Sequence, residues 1–308
     1  MLAKSQFFGY FATLVQNVEK ETTMEIGVVY PQTELNGDPE AVRAIGLATE
    51  ELGYDYLLAY DHVVGADHAD RDPELWGPYT DKDTFHCPFT MFSYLAAITE
   101  RIGFATGVII LPQRQTALVA KQATDVDLLS GERLRLGVGT GWNYVEYDAL
   151  GEDFASRGPR LTEQIGLLRQ YWEESLFSFQ GEFDQIDRGN INVRPNRQIP
   201  IWLGGFSEVA FRRAGALGDG FMFAGDYERC ADGRSRVEHH LAENGRSDDE
   251  FGHELITLRA RTPAEAAETI KRWEDSGGTH AAVVTMNCGL EGLQEHLDFI
   301  AETKDILG

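Results

Sequence analysis

RIGFATGVIILPQRQTALVAKQATDVDLLSGERLRLGVGTGW, residues 101–142, is the stretch that decides the fold. Its apolar run from Ile102 to Leu111 gives way to apolar residues at helical spacing, Leu118, Val119, Ala123, Val126 and Leu129, and a second apolar run follows from Leu134 to Val138. That order predicts a strand, a helix and a strand. Neither run alternates strictly with polar residues, as expected of parallel strands buried on both faces, and parallel strands need a crossover such as a helix. Each strand ends in residues that a packed interior does not need. The first closes on Thr106, Gly107 and Val108, the second on Gly139, Thr140, Gly141 and Trp142.

Outward from this unit the pattern repeats. Upstream lie a strand from Glu25 to Tyr30, a helix from Pro39 closed by Gly53, a strand from Asp55 to Tyr60 and a helix from Pro88 to Thr99. Downstream come a helix from Pro159 to Glu174, a hairpin or loop between Phe177 and Val193, and strands at Pro200–Leu203, Gly220–Ala224, Glu254–Leu258 and His280–Met286. Helices alternate with these strands, at Ser207–Leu217, Tyr227–Asn244, Pro263–Asp275 and Leu290–Thr303. Roughly eight strands and eight helices predict an α/β chain folded as a (β/α)8 TIM barrel, with insertions after strands 2 and 4. The alternative, an open doubly wound sheet, would place a glycine fingerprint at the first turn, where Pro31, Gln32 and Thr33 stand instead. Gly137, Gly139 and Gly141 are spaced G-x-G-x-G and do not supply it. The barrel domain is expected over residues 24–308, with residues 1–23 as an N-terminal extension.

Composition narrows the function. A net charge of -23 argues against nucleic acid or an anionic membrane surface as partner, and no apolar run approaches the ~20 residues of a span. Three scattered cysteines suggest neither a disulfide framework nor a thiolate metal site, so a reducing, cytoplasmic location is expected. Barrel chemistry sits at the carboxyl ends of strands. Those ends carry Tyr30, Asp61 and His62, Thr106 to Val108, Gly139 to Trp142 and Gly204 to Phe206, without paired carboxylates, a Ser/His/Asp set or HExxH. His62 and His68 match no known ligand spacing, and no metal is expected. Glycines, aromatics and hydroxyls suit a flat ring and a phosphate instead, since bare backbone allows close approach and free N–H groups hold anions.

The residues also carry a family resemblance. TGVIILPQRQTALVAKQATDVDLLSGERLRLGVGTGWN, EYDALGEDFASRGPRLTEQIGLLRQYW and PIWLGGFSEVAFRRAGALGDGF together resemble the luciferase-like monooxygenase superfamily, and within it the coenzyme F420-dependent oxidoreductases. The resemblance implies that His62 lies beside the reactive ring and handles a proton, with Asp61 at its side. It implies a cis peptide at Gly107–Val108 supporting the ring, a cofactor edge against Gly139, Thr140 and Gly141, and a cofactor tail wrapped by Leu203, Gly204, Gly205 and Phe206. Trp142, where some F420-dependent sugar-phosphate dehydrogenases have a glutamate, is expected to wall the substrate pocket with Tyr30. The cations that hold a sugar phosphate in those enzymes have no evident counterparts. Arg157 and Arg160 are open to two readings, contact with an anionic cofactor tail or pairing with Glu152 and Glu163. The expected activity is F420-dependent hydride transfer to or from a small organic substrate. The alternatives are an FMN-dependent monooxygenase and, further off, a non-catalytic flavin-binding subunit. A homodimer built on the helices near Met91–Ala97 and Leu118–Leu129 is implied as well.

Overall fold

The computed structural model describes residues 24–308, so the expected extension at residues 1–23 lies outside the described residues. Strand β1 (Glu25–Val29) leads through helix α1 (Pro39–Glu51) to β2 (Tyr56–Ala59), and α2 (Pro88–Ala96) leads to β3 (Gly103–Thr106). The short β4 (Ile109–Ile110) follows β3 beyond a cis Gly107–Val108 peptide, and α3 (Thr116–Ser130) returns the chain to β5 (Leu134–Gly139). Next come α4 (Tyr144–Leu150), α5 (Arg157–Glu173) and the antiparallel hairpin of β6 (Phe177–Gln180) and β7 (Gln185–Gly189). The chain ends with β8 (Ile201–Gly204), α6 (Glu208–Leu217), β9 (Gly220–Ala224), α7 (Tyr227–Glu243), β10 (Gly252–Ile256), α8 (Pro263–Asp275), β11 (His280–Val283) and α9 (Leu293–Leu307).

Strands β1, β2, β3, β5, β8, β9, β10 and β11 pair in parallel in that order, and β11 closes onto β1 with Glu25 opposite His280. This is the TIM barrel expected from the sequence, with its long excursions after the second and fourth barrel strands. Helix starts are set locally: Asp38 before Pro39 accepts from the Glu40 amide at 3.0 Å, and Thr262 before Pro263 accepts from that of Glu265 at 3.3 Å. No helix among the described residues is long and apolar enough to cross a membrane.

The period of two along each strand divides the core into two layers. Val28, Tyr30, Leu57, Ala59 and Phe104 pack against the helices, while Val29, Leu58, Tyr60 and Ala105 fill the barrel. The barrel is closed at the amino ends of its strands. There the Arg135 guanidinium lies 4.4 Å from the Tyr56 ring centre and 4.1 Å from that of Trp202. It donates to Glu254 at 3.0 Å, and the Tyr56 hydroxyl donates to the same carboxylate at 2.5 Å. With the floor plugged, the opening is at the carboxyl ends.

Several element bounds differ from the expectation, two of them with a visible cause. Strand β10 starts at Gly252, two residues before the expected Glu254, because His253 and Glu254 are both buried in the sheet, one bonded to Asp248 and the other to Arg135. Helix α4 occupies the start of the insertion after the fourth barrel strand, capped by the Asn143 side chain on the Val145 amide at 3.1 Å.

Candidate active site

A cavity of about 850 Å³ opens at the carboxyl ends of the barrel strands. Asp61 and His62 line it after β2, Gly107 and Val108 after β3, and Gly139, Thr140, Gly141 and Trp142 at and beyond the end of β5. Leu203, Gly204, Gly205 and Phe206 line it at and just beyond the end of β8, and Arg157 reaches it from the start of α5. Two expected residues stay out of it. Thr106 falls on the helix-facing side of its strand, fully buried, and its hydroxyl donates to the Gly137 carbonyl at 2.8 Å. Tyr30, one residue beyond the inward-facing Val29, faces the outer layer for the same reason, so it is core and not pocket wall.

The glycines at the strand ends have a steric purpose. A Cβ on Gly139 would come within 2.6 Å of one Val108 methyl, and a Cβ on Gly204 within 2.9 Å of the other. Bare backbone on these two neighbouring strands lets the Val108 side chain seat against them at the barrel mouth, where it lines the cavity.

His62 is nearly enclosed. Its ring centre lies 4.8 Å from Phe85, 5.2 Å from Tyr79 and 5.6 Å from Trp142. Burial, with Asp83 adding to it, pushes the Tyr79 phenol up to about 12, so that near neutral pH it is a hydroxyl and not a base. Asp61 does not bond to its neighbour His62. It is turned away, its two oxygens held by Arg114 at 2.7 and 2.9 Å and by the Ile110 amide at 3.3 Å, where burial raises its carboxyl against the pull of the guanidinium. The partner of His62 is Glu146 on α4, whose Oε1 lies 3.2 Å from Nδ1. Sequence reading missed this residue, although Asn143 followed three positions later by Glu146 is a helix-start signature.

The far side of the cavity is cationic. Arg157 donates to the Phe154 carbonyl at 2.7 Å and lies over that ring, and has no carboxylate partner among the described residues. Arg213, not singled out from the sequence, bridges α6 to the start of α5 by donating to the Gly158 carbonyl at 3.1 Å and the Thr162 hydroxyl at 3.0 Å. Burial, with Arg212 close by, lowers its pKa, a cost that an anion would relieve. Arg229 lies over Phe206, 4.7 Å from the ring centre. Neither Arg213 nor Arg229 forms a salt bridge with a described residue. The amino end of α6, capped by Ser207, opens beside them. Arg160, by contrast, pairs with Glu152.

Known proteins place this arrangement. A family model described as luciferase-like monooxygenase matches residues 8–302. The chain belongs to the luciferase-like monooxygenase family. Its family is one of oxidoreductases and monooxygenases, and its homologues include both F420-dependent enzymes and pyrimidine monooxygenases. An uncharacterized protein of Mycobacterium tuberculosis is 33% identical over 83% of this chain and 91% of its own length. An F420-dependent glucose-6-phosphate dehydrogenase of Intrasporangium calvum is 29% identical over 73% of this chain and 67% of that protein. Among solved structures, an F420-dependent secondary alcohol dehydrogenase in complex with an F420-acetone adduct superimposes with a TM-score of 0.76 at 14% identity, over 92% of this chain and 99% of that one. That likeness bears on the fold alone. For a luciferase-like protein, the site of this chain fits a flat ring with an anionic tail: Val108 and its flanking glycines offer a bare shelf, and three guanidiniums with a helix amino end offer donors to an anion.

Proposed function

We propose that the protein is an F420-dependent oxidoreductase that exchanges a hydride with a small organic substrate, with His62 handling the accompanying proton. The observation carrying the choice of cofactor is the trio Arg157, Arg213 and Arg229, gathered at one cavity in a chain of net charge -23 without carboxylate partners among the described residues. Three cations match a tail bearing a phosphodiester and carboxylates better than the single phosphate of FMN. When bound, F420 supplies a two-electron hydride acceptor or donor. The chain's own residues do the rest. Val108 and the glycines around it seat the ring, Trp142 and Tyr79 bound the substrate space, and the loop between His62 and Phe85 covers it from water. His62 takes the proton from the substrate heteroatom as hydride leaves the neighbouring carbon, and returns it in the reverse direction.

Fluorescence titration with both cofactors tests this reading. F420 is expected to bind with a dissociation constant at least tenfold below that of FMN, a gap of about 1.4 kcal/mol. Tighter binding of FMN would overturn the choice and favour a monooxygenase. The same reading makes the protein a cytoplasmic homodimer, consistent with its three free cysteines and with the exposure of Tyr94 on α2 and of Leu118 and Leu129 on α3. Light scattering that finds a monomer at micromolar concentration would contradict the assembly.

A further inference from the structure

We infer that Glu146 is a positioning residue that fixes the tautomer of His62, holding the proton on Nδ1 and leaving Nε2 as the bare nitrogen in the cavity. Two backbone N–H groups and one imidazole nitrogen converge on one oxygen: Glu146 Oε1 lies 2.8 Å from the Val63 amide, 3.1 Å from that of Val64 and 3.2 Å from His62 Nδ1. The two amides can only donate, so this oxygen is an acceptor. The imidazole nitrogen facing it must then carry its hydrogen, because two acceptors cannot bond to each other. His62 Nε2 bonds to no described residue and is not among the sealed buried polar atoms.

The surroundings give the contact its directing power. Phe85, Tyr79 and Trp142 confine the ring without offering it a hydrogen bond, so Glu146 alone among the described side chains selects which nitrogen bears the proton. The carboxylate is itself buried, at 1% exposure, and anchored on α4. The same helix ties down the loop that carries His62 at two other points, Asn143 to the Val64 carbonyl at 3.3 Å and the Tyr144 hydroxyl to the Pro73 carbonyl at 2.7 Å. Loop fixation is thus shared, whereas the bond to the imidazole belongs to Glu146 only. The consequence is directional: the ring meets a substrate as a proton acceptor at Nε2, and the charge it gains on taking a proton is met by the carboxylate behind it. The chemical use of that nitrogen rests on the proposed function, but its protonation does not.

The test therefore uses the cofactor-free protein. With histidine ¹⁵N labelling, and the His62 signals assigned by their loss in His62→Ala, wild type is expected to show the hydrogen on Nδ1. Glu146→Leu, which removes the acceptor facing Nδ1, is expected to shift the population toward Nε2–H by at least tenfold. Tyr144→Phe, which cuts another tie between the same helix and loop, is expected to leave the tautomer unchanged. A hydrogen on Nε2 in wild type, or an unaltered tautomer in Glu146→Leu, would overturn the inference. Should that variant not fold, the wild-type tautomer still decides. Titrating F420 into wild type and Glu146→Leu keeps the two readings apart, because absence of F420 binding by wild type would refute the cofactor assignment and leave the tautomer result standing.

Discussion

Replacing Arg213 by methionine probes the cationic side of the cavity with a magnitude that the structure supplies. A guanidinium has five N–H donors. One on Nε is used by Thr162 and one on Nη2 by Gly158, which leaves three for an anionic ligand. One charge-assisted hydrogen bond contributes about 1.5 to 3 kcal/mol, so the dissociation constant for F420 is expected to rise roughly 10- to 150-fold. The methionine keeps much of the aliphatic stem, and the unloaded protein loses only the two internal bonds, about 1 to 3 kcal/mol. Arg169→Met is the control. Its guanidinium donates to the Leu217 carbonyl at 2.9 Å and to Asp219 at 3.0 Å, away from the cavity, so it should lower the melting temperature without altering the affinity. Fluorescence titration and thermal melts on both variants decide the matter. Affinity within twofold of wild type for Arg213→Met, or an equal loss for Arg169→Met, would refute the assignment of this side of the cavity to the anionic tail.

Removing the imidazole in His62→Ala should cut turnover roughly 10²- to 10⁴-fold while melting temperature and cofactor affinity stay near wild type; an unchanged rate per loaded molecule would take His62 out of the mechanism. At the barrel floor, Glu254→Leu alone should cost about 3 to 5 kcal/mol in denaturant unfolding by stranding Arg135, whereas Glu254→Leu with Arg135→Met should cost much less; additive losses would contradict the buried-pair reading. His296, fully buried on α9 beside Glu34 and hydrogen-bonded to Thr285 at 2.7 Å, has its pKa lowered below 6.5, chiefly by burial. A lowered value means that the unfolded chain binds the proton first, so the stability is present above 6.5 and lost as pH falls through the folded value. His296→Gln should flatten that acid limb in melts between pH 7 and 5, and an unchanged slope would place its origin elsewhere.

What was legible in the sequence followed from periodicity. The unbroken apolar runs at Ile102–Leu111 and Leu134–Val138 marked buried parallel strands, and the barrel follows from repeating them. Strand ends also located most of the cavity wall, because a strand entering a plugged barrel leaves its chemistry at its exit. Tyr30 and Thr106 were misplaced by the factor that a list of strand ends omits, the parity of the pleat, which sends neighbours to opposite layers. Gly252 and His253 were overlooked at the start of β10 because a glycine and a histidine read as loop, and only the closed sheet buries His253 against Asp248. Glu146 and Arg213 were hidden for a related reason: each sits on a helix whose amphipathic pattern is ordinary, and only the closure of the barrel brings it to the site. Asp61 seemed the natural partner for His62 from adjacency. The fold gave it to Arg114 instead, fifty-three residues away.

The three arginines at the cavity are islands in an acidic molecule, and this has a kinetic side. At low ionic strength, where the screening length grows to about 30 Å at 0.01 M, an approaching polyanion first meets the summed field of a chain with net charge -23, which outweighs three local cations. Entry of an anionic cofactor is then expected to be slow, and added salt should quicken it by shielding that outer field. The same salt weakens the guanidinium contacts once they are made, so release quickens too. A stopped-flow series should find both rate constants rising with salt, opposite to the falling entry rate of a binder that draws its ligand in from a distance. On that account a protein loaded with an anionic cofactor in dilute buffer is expected to exchange it slowly in both directions, as though it were a fixed part of the fold.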